Sequence, residues 1–269
     1  MPIARERQLL AMPRFADLPE PARAALRDAD GCADRLASRM TATPGFCLDR
    51  ALPLPVRTLR DIHHRLTPLF ARPDTPIDMG AARREHAVLL SAAPLLHAAF
   101  HDDDPAALID AMMRIAHDLT GIGQLRDCHR CASPDRFGRY VVFAPPERIA
   151  DQLAVIARAL RCGEPRPRSF DAMLALVAIT NCHPFVDGNG RLSRILASWL
   201  LHPHATGAAL YLPLREIAIY ARGGYVLRVR QAEILGDWEP LSRFLLASMR
   251  FWGAFIGLDA RCDAWIGDG

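Results

Sequence analysis

The segment His183-Pro184-Phe185-Val186-Asp187-Gly188-Asn189-Gly190-Arg191-Leu192-Ser193-Arg194 gathers an imidazole, a carboxylate, two guanidinium groups and a glycine-flanked turn between two apolar stretches. Gly188-Asn189-Gly190 permits a tight turn whose backbone amides converge at the start of the following helix, where orphan N–H groups and the helix dipole favour an anion. Arg191 and Arg194 stand three apart in that helix, so their guanidinium groups emerge from nearly one face and can clasp several phosphate oxygens. Asp187, just ahead of the turn, is placed to hold a hard cation such as Mg²⁺. His183 follows an apolar helix that crowds most of its faces with Met173, Leu174, Leu176, Val177 and Ile179, a rigid base from which to fix an imidazole. Any one of these features alone is an ordinary cap, loop or solvated face. Together they describe a diphosphate or triphosphate site with a base beside it.

Helical periodicity predicts the elements that hold this segment. An amphipathic helix over residues 19–40 is followed by a proline-rich loop over 41–55, and helices follow over 57–70, 81–100 and 105–119, the last capped by the aspartates at 102–104. Between 121 and 146 the helical period disappears, and Arg139-Tyr140-Val141-Val142-Phe143 is a short β-favouring run bounded by glycine and a Pro-Pro pair, which predicts a hairpin or flap. Helices return over 146–160, 169–181, 188–201, 214–220, 225–235 and 240–257. The expected class is all-α, a helical bundle with one small β-hairpin flap near the site.

Composition narrows the chemistry. All 33 residues of the Lys+Arg total are arginine, so mechanisms that need an ε-amine are excluded, and phosphate must be handled by arginine and backbone amides. With 30 acidic residues against those 33, no long basic run arises to favour nucleic acid or anionic lipid as a partner. No apolar run reaches the roughly 20 residues needed to span a bilayer, and no signal-peptide core is visible. The 7 cysteines suit a reducing cytosol, and Cys128-His129-Arg130-Cys131 has the spacing of half a zinc site with no second pair to complete it.

The segment 183–194 matches every defined position of HxFx(D/E)GNGRxxR and so resembles the signature of the Fic (Fic/Doc) family. Weaker likeness extends from about 105 to 255: His117 on its helix, a Gly-x-x-Arg element at 123–126, Pro145-Pro146 after the flap, and Gly236-Asp237-Trp238 near the end. The resemblance divides the chain into an N-terminal helical region of unassigned role (1–100), a Fic domain (101–257) and a tail (258–269).

The resemblance implies a protein adenylyltransferase that moves AMP from Mg-ATP to a Ser, Thr or Tyr hydroxyl of a target protein. It makes His183 the base, Asp187 the Mg²⁺ ligand, and Gly188, Asn189 and Gly190 the amide cradle. Arg191 and Arg194 would hold the outer phosphates, Phe185 would anchor the loop, and Tyr225 would help enclose the nucleotide base. The flap residues Tyr140, Val141, Val142 and Phe143 would dock a target segment by strand-like pairing. Alternatives are another donor, UTP or a phosphocholine compound, or a toxin module bound by a separate protein. Family members often carry an inhibitory (S/T)xxxE(G/N) helix whose glutamate pairs with the second motif arginine. No Ser or Thr of this chain has Glu four residues later, which leads to the expectation of no inhibitory helix in the chain itself, and hence of a separate antitoxin-like partner or a constitutively active enzyme. The expected location is the bacterial cytoplasm, with delivery into a host cell as a variant of it. The polar insertion 127–138 leaves target specificity open.

Overall fold

In the computed structural model, which describes residues 5–6, 12–42, 79–102, 104–132, 141–202, 210–220 and 224–255, the apolar stretch before His183 becomes the helix around which the others pack. The helices are α1 (Glu20–Ala42), α2 (Met79–His101), α3 (Pro105–Thr120), α4 (Ile149–Leu160), α5 (Arg168–Cys182), α6 (Asn189–Leu201), α7 (Leu214–Tyr220), α8 (Gly224–Leu235) and α9 (Glu239–Phe255). Nearly all of the 15 residues of α5 are buried, because apolar side chains surround it and leave no polar face to turn toward water. It packs most extensively on α6, with which it shares the loop 183–188, and is flanked by α4, α1, α8 and α9.

The start of α5 is fixed from far away in sequence. Pro167, its N-cap, offers no side-chain acceptor, so the Asp30 carboxylate of α1 takes the Arg168 N–H at 2.9 Å and the Ser169 N–H at 2.8 Å. The Ser169 hydroxyl donates to the Leu26 carbonyl at 2.6 Å. This is a helix cap supplied by another helix, and it satisfies donors that would otherwise be buried without partners.

α2 lies against α3 and α6 through a buried stripe of Leu89, Ala92, Leu96 and Ala99, with Phe100 packed at a tilt on Trp199, 4.5 Å between ring centroids. α3 begins where expected, the Asp104 carboxylate accepting the Ala106 N–H at 2.8 Å, and ends at Gly121 in the left-handed region at φ 78°. The described helices of the first hundred residues, α1 and α2, thus share one apolar core with the rest.

The fold is helical as expected, but the predicted hairpin flap is not seen among the described residues. Val141–Val142 (β2) pairs in parallel with Arg5–Glu6 (β1), in the register Arg5 to Val141 and Glu6 to Val142. An isolated antiparallel bridge joins Cys131 to Val142 on the other side. Among the described residues both elements are two residues long, and β2 is followed closely by Pro145 and Pro146, which cannot donate to a ladder. The predicted helix over 57–70, most of the loop over 41–55, Tyr140 and the tail 258–269 lie outside the described residues. Among the described residues no helix is long and apolar enough to cross a membrane.

Candidate active site

α5 terminates at His183, whose N–H donates to the Ile179 carbonyl at 2.9 Å while its backbone sits at φ 49°, ψ 56°. The left-handed region costs a non-glycine residue about 1–2 kcal/mol, so surrounding contacts must impose it. Two are visible. The Arg126 Nε donates to the His183 carbonyl at 2.7 Å, and the Phe143 ring lies flat on the imidazole, with centroids 3.9 Å apart and planes within 3°. Burial, then the neighbouring Arg126 charge, pushes the imidazole down to about 4, so it is neutral near pH 7 and has a lone pair to offer. The Thr180 carbonyl is close enough to favour the protonated ring, yet the buried Nδ1 makes no hydrogen bond of normal geometry. Nε2 is therefore the nitrogen left to meet a substrate.

The loop after His183 is braced by its own asparagine. Phe185 is fully buried, and the Asn189 side chain accepts the Phe185 N–H at 2.9 Å and donates to the Phe185 carbonyl at 2.8 Å. The sequence assigned Asn189 only a backbone amide, but its side chain closes the turn. Gly188 at φ 85° must be glycine on two counts: an L-residue is strained there, and a Cβ would come 2.8 Å from the Thr120 methyl. No side chain caps α6, so the amides of its first turn keep their capacity for an anion. The Asp187 carboxylate accepts the Gly188 N–H at 2.6 Å, and that bond first, with Arg191 assisting, holds it below the usual carboxylate range. An ionised, largely exposed oxygen donor of this kind suits a hard divalent cation.

The two motif arginines face different partners. Arg191 pairs with Asp187 at 2.8 Å and donates to the Leu119 carbonyl at 3.1 Å, at the rim of the site. Arg194 turns inward, where its Nε and Nη2 grip the two carboxylate oxygens of Glu85 at 2.9 and 2.7 Å. Burial opposes the Arg194 charge, but the bonds to Glu85 outweigh it and the guanidinium stays protonated.

The chain lacks the (S/T)xxxE(G/N) pattern, yet Glu85 on α2 makes the contact with the second motif arginine that the resemblance assigns to an inhibitory glutamate. The pattern has Ser or Thr four residues before the glutamate and Gly or Asn after it, whereas this chain has Ala81 and His86 in those places. A physical signal was present all the same: Glu85 continues the buried stripe of Leu89, Ala92, Leu96 and Ala99, and a carboxylate on a core stripe needs a cation.

Further polar groups back this pair. Glu216 of α7 is fully buried, and burial, then the Glu85 charge, pushes its carboxyl up. Arg215 lies 3.6 Å from it, and Arg194 and Arg215 both oppose the shift. The Tyr211 ring packs on His86 with centroids 5.2 Å apart. Tyr225, singled out for the nucleotide base, packs on Phe244 at 5.8 Å; burial pushes its phenol up to about 12, with the nearby Arg194 opposing the shift.

The proposed docking edge is already engaged. Val142 has β1 on one side and Cys131 on the other, so a target strand could add there only by displacing a segment of this chain. Cys128 and Cys131 serve this region through their backbones, since the Cys128 carbonyl accepts from Arg126 at 2.7 Å and Cys131 forms the bridge to Val142.

The model of the Fic/DOC family matches residues 103–201, which contain the whole motif. Among curated proteins none matches the chain. The fold resembles a Fic family protein from Desulfovibrio desulfuricans G20 (TM-score 0.57, 16% identity, covering 87% of this chain and 73% of that one). It also resembles Fic-1 residues 134–508 from C. elegans (TM-score 0.54, 19% identity, 88% and 72% covered). A third likeness is to a Fic domain containing signaling protein from Bacteroides thetaiotaomicron VPI-5482 (TM-score 0.52, 13% identity, 86% and 99% covered). Motif, family match and fold agree, and the chain carries a domain of the Fic/DOC family over residues 103–201.

Proposed function

We propose that the chain is a Fic-type transferase, a protein adenylyltransferase that moves AMP from ATP to a hydroxyl side chain of a protein target and is held in check by Glu85. The observation that carries this is the placement of a neutral His183 beside the uncapped N-terminus of α6 and the Arg194 guanidinium, a base next to a phosphate cradle.

In the reaction the target hydroxyl oxygen bonds to the α-phosphorus, the bond to the bridging oxygen breaks, and pyrophosphate leaves with that electron pair. His183 Nε2 takes the hydroxyl proton. The first-turn amides of α6 and the Arg194 guanidinium orient the phosphates and stabilise charge as the leaving group departs. Asp187 would hold Mg²⁺, which when bound neutralises phosphate charge. Arg194 cannot give both donors to Glu85 and to a phosphate, so the Glu85 pair and productive binding of the outer phosphates compete for one guanidinium.

Incubation of the Glu85→Ala protein with lysate proteins and ATP labelled at either the α- or the γ-phosphate tests the proposal. Adenylyl transfer leaves only the α-label on protein, together with a mass increase of AMP. His183→Ala in that background should keep nucleotide binding and lower transfer by about 10²–10⁴-fold, the usual scale for a general base. Retention of the γ-label, or near-normal transfer without His183, would reject it.

A further inference from the structure

Arg126 lies outside the motif and touches none of the groups that handle phosphate, yet it is 3% exposed and spends its donors on the backbone around the base. Its Nε donates to the His183 carbonyl at 2.7 Å, and its Nη2 reaches the Cys182 carbonyl at 3.5 Å and bonds that of Ala144. Its Nη1 donates to the Cys128 carbonyl at 2.7 Å. Its own N–H donates to the Pro184 carbonyl at 2.9 Å, beside the antiparallel bridge of Leu125 to Phe185. One planar cation therefore ties the end of α5 to both sides of the β2 region. The segment is seated by Gly123, where a Cβ would come 2.6 Å from the Met113 carbonyl, so this stretch can lie against α3 only with glycine there.

We propose that Arg126 is a positioning residue for the transfer reaction. It fastens the His183 backbone and the segment of β2 into one unit, which keeps Phe143, next to Val142, flat against the imidazole. The geometry requires this division of labour. His183 sits in a left-handed conformation it does not favour, and its buried Nδ1 makes no hydrogen bond of normal geometry, the Thr180 carbonyl being its nearby polar neighbour. The Phe143 stack fixes the plane of the ring, and the Ala144 and His183 carbonyls on either side of that stack share one guanidinium. A lysine could not replace it, since a point donor lacks the fork that spans the carbonyls.

The inference rests on the function proposed above, and its test is chosen to separate the two. In ¹⁵N-histidine NMR spectra of the full chain, the His183 ring protons should carry the upfield ring-current shift of a stacked phenyl. Arg126→Gln should abolish that shift, Arg126→Lys should restore only part of it, and Phe143→Leu should remove it while leaving the bonds of Arg126 in place. In the Glu85→Ala background, pyrophosphate release from ATP with water or a hydroxyl of the chain itself as the adenylyl acceptor should fall about 10–100-fold in Arg126→Gln and about 3–10-fold in Phe143→Leu. The ATP Kd, by calorimetry, should stay within about threefold, since Arg126 is not placed to touch phosphate. Thermal melting of each variant identifies any that fails to fold, and Phe143→Leu carries the test if Arg126→Gln does. An unchanged ring shift in a folded Arg126→Gln protein overturns the proposal, as does unchanged turnover. If the ring shift responds but the Glu85→Ala protein neither releases pyrophosphate nor labels protein, the positioning of His183 stands and the adenylyl-transfer function falls.

Discussion

Arg191 and Arg194 lie one helical turn apart and serve one motif, but they occupy different environments. At the rim, Arg191 pairs with Asp187 four residues away, and the two side chains are 35% and 74% exposed. At the floor, Arg194 pairs with Glu85, 109 residues away, and the exposures are 13% and 3%. An exposed i,i+4 pair contributes only a few tenths of a kcal/mol and yields to a ligand at little cost. A buried, bidentate pair is costly to break because it leaves an uncompensated charge behind. The rim is therefore available for exchange of partners, and the floor determines which state the site is in.

The largest effect should follow from breaking the floor. Glu85→Ala is expected to tighten ATP binding about tenfold or more, since roughly 1.4 kcal/mol of competition for Arg194 per factor of ten is removed. The same change should lower unfolding stability by about 3 kcal/mol, because Arg194 is left buried without its carboxylate. Calorimetric titration with ATP and chemical denaturation measure the two in one preparation. Loss of stability without a gain in affinity would show that the pair is only structural.

This contrast also explains what could be read from the sequence. The base, the glycine turn and both arginines are contiguous, so their proximity was legible in local spacing, but the expectation that Arg191 and Arg194 emerge from nearly one face was not met, since they turn to different partners. The Asp104 cap of α3 was legible because it too is local. The Glu85 partner of Arg194 was missed because a pattern built on Ser or Thr passes over Ala81, although helical spacing puts Glu85 on the stripe of Leu89, Ala92, Leu96 and Ala99; that the stripe faces Arg194 depends on how α2 docks on α6. The flap failed for a related reason. Val141 and Val142 have strand propensity, but what they pair with is decided by tertiary contact: the paired strand is Arg5–Glu6, and the neighbouring stretch contributes only an isolated bridge from Cys131. Arg126 could be noted beside its glycine, but the carbonyls it gathers come from three separate stretches of chain.

pH probes the base between floor and rim. The folded imidazole titrates at about 4 against an ordinary value of 6.5, so between those values the unfolded chain binds a proton that the folded protein does not. Stability should therefore fall as pH drops from about 6.5 toward 4 and level off below, by about 1–2 kcal/mol once the partial exposure of the ring is allowed for. The acid limb of kcat/KM should lie well below 6.5 for the same reason. His183→Gln should flatten this part of the stability profile. Burial and Arg126 dominate the shift and Asp187 contributes least among the named groups, so Asp187→Asn should leave the acid limb nearly in place.

The smallest effect should come from the rim pair itself. A double-mutant cycle over Asp187→Asn and Arg191→Gln is expected to give a coupling of about 0.5 kcal/mol or less in unfolding experiments, the range of exposed helical pairs. The single changes should not be equal. Arg191→Gln also removes the donor to the Leu119 carbonyl and should cost about 1 kcal/mol more than the coupling, whereas Asp187→Asn keeps an oxygen that can accept the Gly188 N–H. Raising the salt concentration should erase the coupling and leave the Glu85–Arg194 contribution largely intact, since screening acts on exposed charges. A rim coupling as large and as salt-resistant as that of the floor would mean that Arg191 is held as firmly as Arg194, and that the two arginines open to phosphate together.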